Sequence, residues 1–447
     1  MRKQISLFVT FFSLCIGLSA WASPLNAAFG VSGSWRGDWG LLPASFEAVE
    51  GRALMKPILN LSGDWFEARG SFTGSIDAAS KPVFSLDECF IKLFPSDFLI
   101  LQAGRYAVNP GKASFFPLLS QLAPSDPLAF LYGDGGSLSD QAEVRLLVGN
   151  FHLDLAWRPA FLPVKYAKPD TAGIWFASSS FPETIKYSNI TRTRSSIEIV
   201  DASSLSERSS GAGDFLLDLG ASLGCLDLGI VGFSGISRDP IYIPSISLGP
   251  ELMKGGSFVL ELEPKFSMVK SLGAYISFAP EPGELGGVEA HIEALYTGGR
   301  LVEYGLDKIG IRYHEGVWSL AVADGVEAEE VAICAGGNWA LPSLPVSFFA
   351  EARGLFHPWL DVPDASFSKL AVAGFRGSLF SERARWLFAS AASFPSGGWC
   401  CIGQAAVALP GDSELSATLP LFFGPVGSDL GQFSAVRRLS LSFTTRM

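Results

Sequence analysis

The sequence predicts an all-β protein: a closed antiparallel transmembrane β-barrel of about 18–20 strands. Three observations carry that prediction. The composition is strongly apolar without one usable spanning helix, the strands alternate strictly between apolar and polar residues, and tight turns alternate with long connections. Of the 447 residues, 48% are hydrophobic, 17% are charged and 48 are glycine, and the mean hydropathy is +0.30. Soluble domains carry about 25% charged residues, so this chain is too apolar for a comfortable aqueous surface. It is also too hydrophobic for a disordered chain, and it has no Gly-X-Y period.

The N-terminus indicates the route. Arg2 and Lys3 precede an apolar run from Ile5 to Leu18, and Ala20-Trp21-Ala22 forms a small-residue processing site. Residues 1–22 therefore read as a cleaved secretory signal peptide, which leaves 23–447 as a single barrel domain. Loss of Arg2 and Lys3 makes the net charge of −11 more negative by two. An acidic chain lacks the basic footprint that nucleic acid requires, and it favours neutral or cationic solutes.

A spanning helix needs about 20 consecutive apolar residues. Two stretches lack charge for that long, but both are interrupted. Trp386–Gly411 contains Pro395, Gly397, Gly398 and Pro410, and Val331–Ala350 contains Gly336, Gly337, Pro342 and Pro345. Each reads as two strands around a turn.

The period elsewhere is two, so one face of each strand is apolar and the other polar. In Asp214–Leu223, Phe215, Leu217 and Leu219 alternate with Asp214, Asp218 and Gly220. In Phe151–Arg158, Phe151, Leu153, Leu155 and Trp157 alternate with His152, Asp154 and Arg158. The same pattern recurs at 66–72, 143–148, 258–263 and 288–294. A soluble sandwich alternates too, but many of these strands reach the length of a tilted membrane strand. Short turns at Gly63-Asp64, Pro95-Ser96-Asp97, Gly149-Asn150 and Gly224-Cys225 are followed by long loops at 107–137, 160–213 and 237–254. Tight turns on one side and long loops on the other are the outer-membrane arrangement. Direct segmentation gives about 21 strands, one too many for an even-stranded barrel, and Arg300–Lys308 is the stretch best reassigned to loop.

On this reading the polar partners line the lumen. They are Glu67, Arg69, Glu143, Arg145, Asp154, Arg158, Asp214, Asp218, Glu261, Glu263, Glu289, Glu293, Arg312, Glu351 and Arg353. Such side chains can select ions and polar solutes, or they can pair with one another and stiffen the wall. The segment after Leu101 is rich in Pro and aromatic residues and can fold into the barrel mouth, with Arg105, Lys112, Phe115, Phe116 and Asp126 as candidate constriction residues.

Gly104-Arg105 leading into Pro110-Gly111, then Phe116-Pro117 and Pro124-x-Asp126, resembles a pattern in large porin-like outer-membrane barrels, namely alginate-export-type porins and related spirochaete outer-membrane proteins. The segment from Phe422 to Gly431, followed by Leu439–Phe443, is similar to their last loop and last strand. Two departures are plain: Asn109-Pro110 stands where the family's turn has Trp, and the chain ends Thr444-Thr445-Arg446-Met447 rather than on an aromatic residue. The resemblance covers about 50 residues in two places and implies a barrel that is a channel or solute-uptake protein.

Catalytic motifs are weak. Gly220-Ala221-Ser222-Leu223-Gly224 fits G-x-S-x-G literally but lies in an alternating strand, whereas a nucleophile elbow needs a strand–turn–helix. The five cysteines beyond residue 22 and the four histidines have no metal-motif spacing. The expectation is no enzyme, no cofactor and no metal, but a bacterial outer-membrane channel for passive uptake of small polar solutes. A transporter for hydrophobic substrates and a surface adhesin or structural barrel are the alternatives. Expected partners are outer-membrane lipid, the solute and the barrel-assembly machinery, and a homo-oligomer stays open.

Overall fold

A computed structural model describes residues 26–32, 35–39, 48–77, 82–108, 110–122, 138–159, 184–187, 190–199, 213–237, 241–248, 258–280, 287–302, 309–314, 317–322, 326–341, 344–358, 367–394, 397–409, 413–424, 430 and 440–445. The expected signal peptide and Asp126 lie outside them. The strands in chain order begin with β1 (Asn26–Ser32), β2 (Trp35–Trp39), β3 (Ala48–Gly63), β4 (Phe66–Asp77), β5 (Pro82–Ser96) and β6 (Leu99–Tyr106). Next come β7 (Ser139–Val148), β8 (Phe151–Arg158), β9 (Thr184–Tyr187), β10 (Ile190–Ile199), β11 (Asp214–Leu223) and β12 (Leu226–Ile236). They continue with β13 (Ile241–Leu248), β14 (Phe258–Lys265), β15 (Met268–Phe278), β16 (Val288–Val302), β17 (Ile309–His314) and β18 (Val317–Val322). The last are β19 (Val326–Ala340), β20 (Val346–Phe356), β21 (Phe367–Leu379), β22 (Ala384–Phe394), β23 (Trp399–Leu409), β24 (Ser413–Phe423) and β25 (Ser440–Thr445).

Nineteen of them form one antiparallel sheet. β1 and β2 lie end to end along β3, opposite residues 56–62 and 48–53 respectively. They make one interrupted stave, so the sheet has eighteen, within the expected range. Successive staves pair through β8, then β11, β12, β15, β16 and β19, and on to β25. β25 comes alongside β1 and β2, so the two ends of the sheet meet. A closed sheet is what hydrocarbon requires of strands, and here the two end staves lie side by side.

All four predicted tight turns are two-residue hairpin connections at one rim. Gly149 and Gly224 take φ of +60° and +65° there, with nothing within 4 Å of an added Cβ. Backbone conformation rather than space requires glycine at both, as in turns that match strand twist. No helix among the described residues is long and apolar enough to cross a membrane. The two long uncharged stretches are hairpins, β22–β23 and β19–β20.

The predicted alternation reads directly in the walls. β11 coincides with the predicted Asp214–Leu223, and Asp214, Leu216 and Asp218 are buried while Phe215, Leu217 and Leu219 are exposed. A soluble protein would reverse that pattern. The exposed apolar residues form the outer face that meets lipid.

The other rim departs from expectation. Segments 160–213 and 237–254, expected as loops, carry β9–β10 and β13, and 303–325 carries β17–β18. These strands, with β14, form a separate six-stranded sheet in the order β9-β10-β14-β13-β18-β17. Its one parallel pair is β10–β14. Both of those strands return toward the barrel, into β11 and β15, whereas β13 leaves it and β18 returns, and that pair is antiparallel. Arg300–Val302 is the end of β16, while 303–308 lies outside the described residues.

Candidate functional site: an inward loop across a charged lumen

The connection after β6 turns into the barrel instead of away from it. Two carboxylates on β16 and β20, staves separated only by β19, hold it. The Lys112 and Ala113 amides donate to Glu293 Oε1 on β16 at 2.5 and 2.7 Å. The Ser114 amide donates to Glu351 Oε2 on β20 at 2.9 Å, and the Phe115 and Phe116 amides donate to Oε1 at 3.0 and 2.5 Å. Five consecutive backbone N–H groups thus grip two carboxylates that are 0% and 4% exposed. Successive amides form an anion-binding concavity, here filled by the protein's own wall. Gly111 is required by close approach, because a Cβ there would run into the Glu293 carboxylate. Gly336 on β19 leaves comparable room for Glu351.

The side chains of the loop fix the rest. Leu118, Leu119 and Leu122 are buried in an apolar cluster with Val372, Ala389, Cys400 and Ile402 of β21–β23 and with Leu430. The Phe115 ring stacks on Phe349 at 4.9 Å between centroids. The Arg353 guanidinium lies 5.5 Å from the centroid of the buried Phe116 ring. On the opposite side Lys112 Nζ reaches Asp227 on β12 at 2.9 Å. At the rim, Arg158 Nη1 donates to the Leu122 carbonyl at 2.7 Å, while Nε and Nη2 bind Asp214 Oδ2 at 2.7 and 2.6 Å.

Beside the loop lies a cavity of about 620 Å³, lined in part by Glu88, Glu143, Arg145, His152, Asp154 and Asp218. Arg145 Nη2 donates to Glu143 at 2.8 Å, and its Nε meets both oxygens of Asp154 at 2.9 Å. Asp154 and Asp218 stand directly opposite each other on β8 and β11. His152 Nε2 is 3.5 Å from Asp218 Oδ2, and the Tyr275 hydroxyl is 3.4 Å from His152 Nε2.

The structure separates the residues nominated from sequence into three groups. Glu143, Arg145, Asp154, Arg158, Asp214, Asp218, Glu293, Glu351 and Arg353 converge on the loop and cavity, together with Lys112, Phe115 and Phe116. Arg69 pairs with Glu88 at 2.9 Å, Glu67 stands opposite Lys92, and Glu289 is exposed opposite Asn338. Glu261, Glu263 and Arg312 stand on the six-stranded sheet, not on the barrel wall. Arg105 is not in the lumen either. Its neighbour Gly104 shares a face with Phe90, so Arg105 points outward, where Nε and Nη2 form a two-pronged pair with Asp140 at 2.8 Å.

Sequence reasoning missed Glu88, Tyr275, His291 and Cys334. His291 was findable, since alternation places it on the face of Glu289 and Glu293. Tyr275 shares its face of β15 with Val269, Ser271, Gly273 and Ser277, and Cys334 shares its face of β19 with Glu330, Ala332, Gly336 and Asn338. All five cysteines among the described residues are free.

No family model matches the chain, and no curated protein matches it. Solved structures do. OccK2 of Pseudomonas aeruginosa in complex with glucuronate aligns at TM-score 0.52 and 9% identity, over 95% of this chain and 98% of that one. OccK5 of the same organism aligns at 0.51 and 9% over the same shares. A BenF-like porin from Pseudomonas fluorescens Pf-5 aligns at 0.51 and 8%, over 95% and 99%. These neighbours do not single out the alginate-export or spirochaete types that the two short motifs resemble. The chain has the fold of a closed, porin-type outer-membrane β-barrel along nearly its whole length.

Proposed function

We propose that this protein is a bacterial outer-membrane channel for passive uptake of small polar solutes, and that the inward loop forms its constriction. The observation that carries the proposal is the grip of Glu293 and Glu351 on the five amides of residues 112–116. A loop fixed on both carboxylates narrows the lumen without closing the charged side. Leu118, Leu119, Leu122 and Leu430 join the apolar cluster of the lumen, and the route proposed for the solute is the cavity between the loop and β7, β8 and β11.

Charge sets the preference. One structural neighbour was crystallised with glucuronate, an anion. Here Glu88, Glu143, Asp154 and Asp218 outnumber Arg145 and Lys112 around the cavity. Rings of carboxylates favour cations, so the solute class proposed is neutral or cationic. The same reading places the chain in the outer membrane, delivered by its signal peptide and inserted by the barrel-assembly machinery. The test is single-channel recording after refolding into planar bilayers. Steady conductance with a reversal potential on the cation side is expected. A folded barrel that never conducts would overturn the proposal.

A further inference from the structure

We infer that the cavity wall holds a site for one divalent transition-metal cation, built by His152 and Asp154 of β8 and Asp218 of β11. Their ligand atoms all lie within 4.8 Å of one another. His152 Nε2 and Asp218 Oδ2, at 3.5 Å, already have the separation of two ligands sharing a metal with bonds of about 2.0–2.2 Å.

The Asp218 side chain is 5% exposed, yet its Oδ1 has no hydrogen-bond partner among the described residues. A buried carboxylate oxygen without a donor carries a desolvation cost, and a cation relieves it. Asp154 and Asp218 are opposed across the ladder, an arrangement in which like charges repel. Arg145 engages only Asp154 of the two, and it shares its charge with Glu143. Each carboxylate has about four lone-pair positions, so Asp154 can keep Arg145 and still offer a ligand.

Two glycines make the room. A Cβ at Gly220 would strike the His152 ring and the Tyr275 hydroxyl, and one at Gly229 would strike the Tyr275 ring. Tyr275 thereby places its hydroxyl at the site, 3.4 Å from the same His152 Nε2 that faces Asp218. Of the His152 side chain, 26% is exposed, and the residue lines the cavity, so a cation arriving through the lumen reaches the site. An imidazole among the ligands selects Zn²⁺, Co²⁺ or Ni²⁺ over Mg²⁺ and Ca²⁺, which prefer oxygen alone.

This inference needs the lumen to be wet but does not need it to conduct, so its test avoids transport. Co²⁺ is titrated into the full-length refolded barrel in detergent while its visible d–d bands are followed, with folding checked by heat-modifiable gel migration. One Co²⁺ per barrel is expected, displaced by Zn²⁺ and not by excess Mg²⁺. His152→Gln and Asp218→Asn should abolish it. Loss of binding in the folded His291→Gln and Cys334→Ser variants instead, or bands unchanged in His152→Gln, would overturn the assignment. So would the absence of bands in the folded wild type, a result that would leave the channel proposal standing.

Discussion

The two sides of the lumen are built on opposite principles. On β7, β8 and β11 the inward positions carry Glu143, Arg145, Asp154, Arg158, Asp214 and Asp218, with Ala156 and Leu216 between them. On β21 to β24 they are Val372, Ala389, Ala391, Cys400, Ile402 and Phe422, all buried and apolar or small. The loop of residues 110–122 reads both. Its leucines join an apolar cluster that includes those residues together with Leu216, Val231, Val269 and Leu295, Lys112 and the Leu122 carbonyl reach the charged side, and Glu293 and Glu351 hold its backbone. A uniformly polar wall would leave the leucines in water, and a uniformly apolar wall would leave five amides without acceptors. The asymmetry lets a loop cross a barrel while every strong donor in residues 112–116 stays satisfied.

Substitutions on each side should separate these contributions. The largest effect is expected from Glu351→Ala, which strips three amides of their acceptor and leaves the His291 imidazole, 3.3 Å from Oε2, without its carboxylate. Loss of one partner from a buried charged cluster costs about 3–5 kcal/mol. Thermal unfolding in detergent should show it, with the loop newly open to protease. Arg158→Ala comes next. The pair is 1% and 2% exposed, so Asp214 would keep a buried charge with, among the described residues, the Ile236 amide at 2.8 Å still donating to it. A loss of about 3 kcal/mol is expected, read in the same melts.

On the apolar side, Leu119→Ala removes a 0% exposed side chain and should cost about 2–4 kcal/mol, less if the site collapses. The asymmetric wall also predicts different ionic responses. Salt should blunt Arg158→Ala little, because that pair is buried, and should leave Leu119→Ala unchanged. The smallest effect lies outside the lumen, at the β21–β22 turn, where Phe380, Ser381 and Glu382 take φ of 54°, 54° and 69°. Ser381→Gly relieves one strained residue and should stabilise by about 1 kcal/mol, measurable as a small rise in Tm.

What the sequence disclosed follows the range of each interaction. β8 and β11 were legible to the residue because Phe151–Arg158 and Asp214–Leu223 alternate without interruption, and alternation is local. The tight turns were legible from Gly149 and Gly224. The second sheet was not, because Phe258, Leu260 and Leu262 alternate with Glu261 and Glu263 as a barrel strand would, and period says nothing about which strand pairs with which. Arg105 was misplaced by attending to its motif rather than its parity. The role of Glu293 could not be read at all, since its partners are backbone amides 180 and 181 positions away, and a backbone amide leaves no mark in a sequence.

The central claim is that two carboxylates hold the loop as a constriction. Single-channel conductance of the Glu293→Gln/Glu351→Gln barrel against the unaltered protein, both shown folded by heat-modifiable migration, tests it most directly. Neutral amides keep the shape but remove the charge from these bonds, and at Glu351→Gln the NH2 faces at least one backbone N–H that had an oxygen, so conductance should rise several-fold with frequent fluctuations as the loop swings from the wall. An unchanged, steady conductance in a folded double variant would contradict the account.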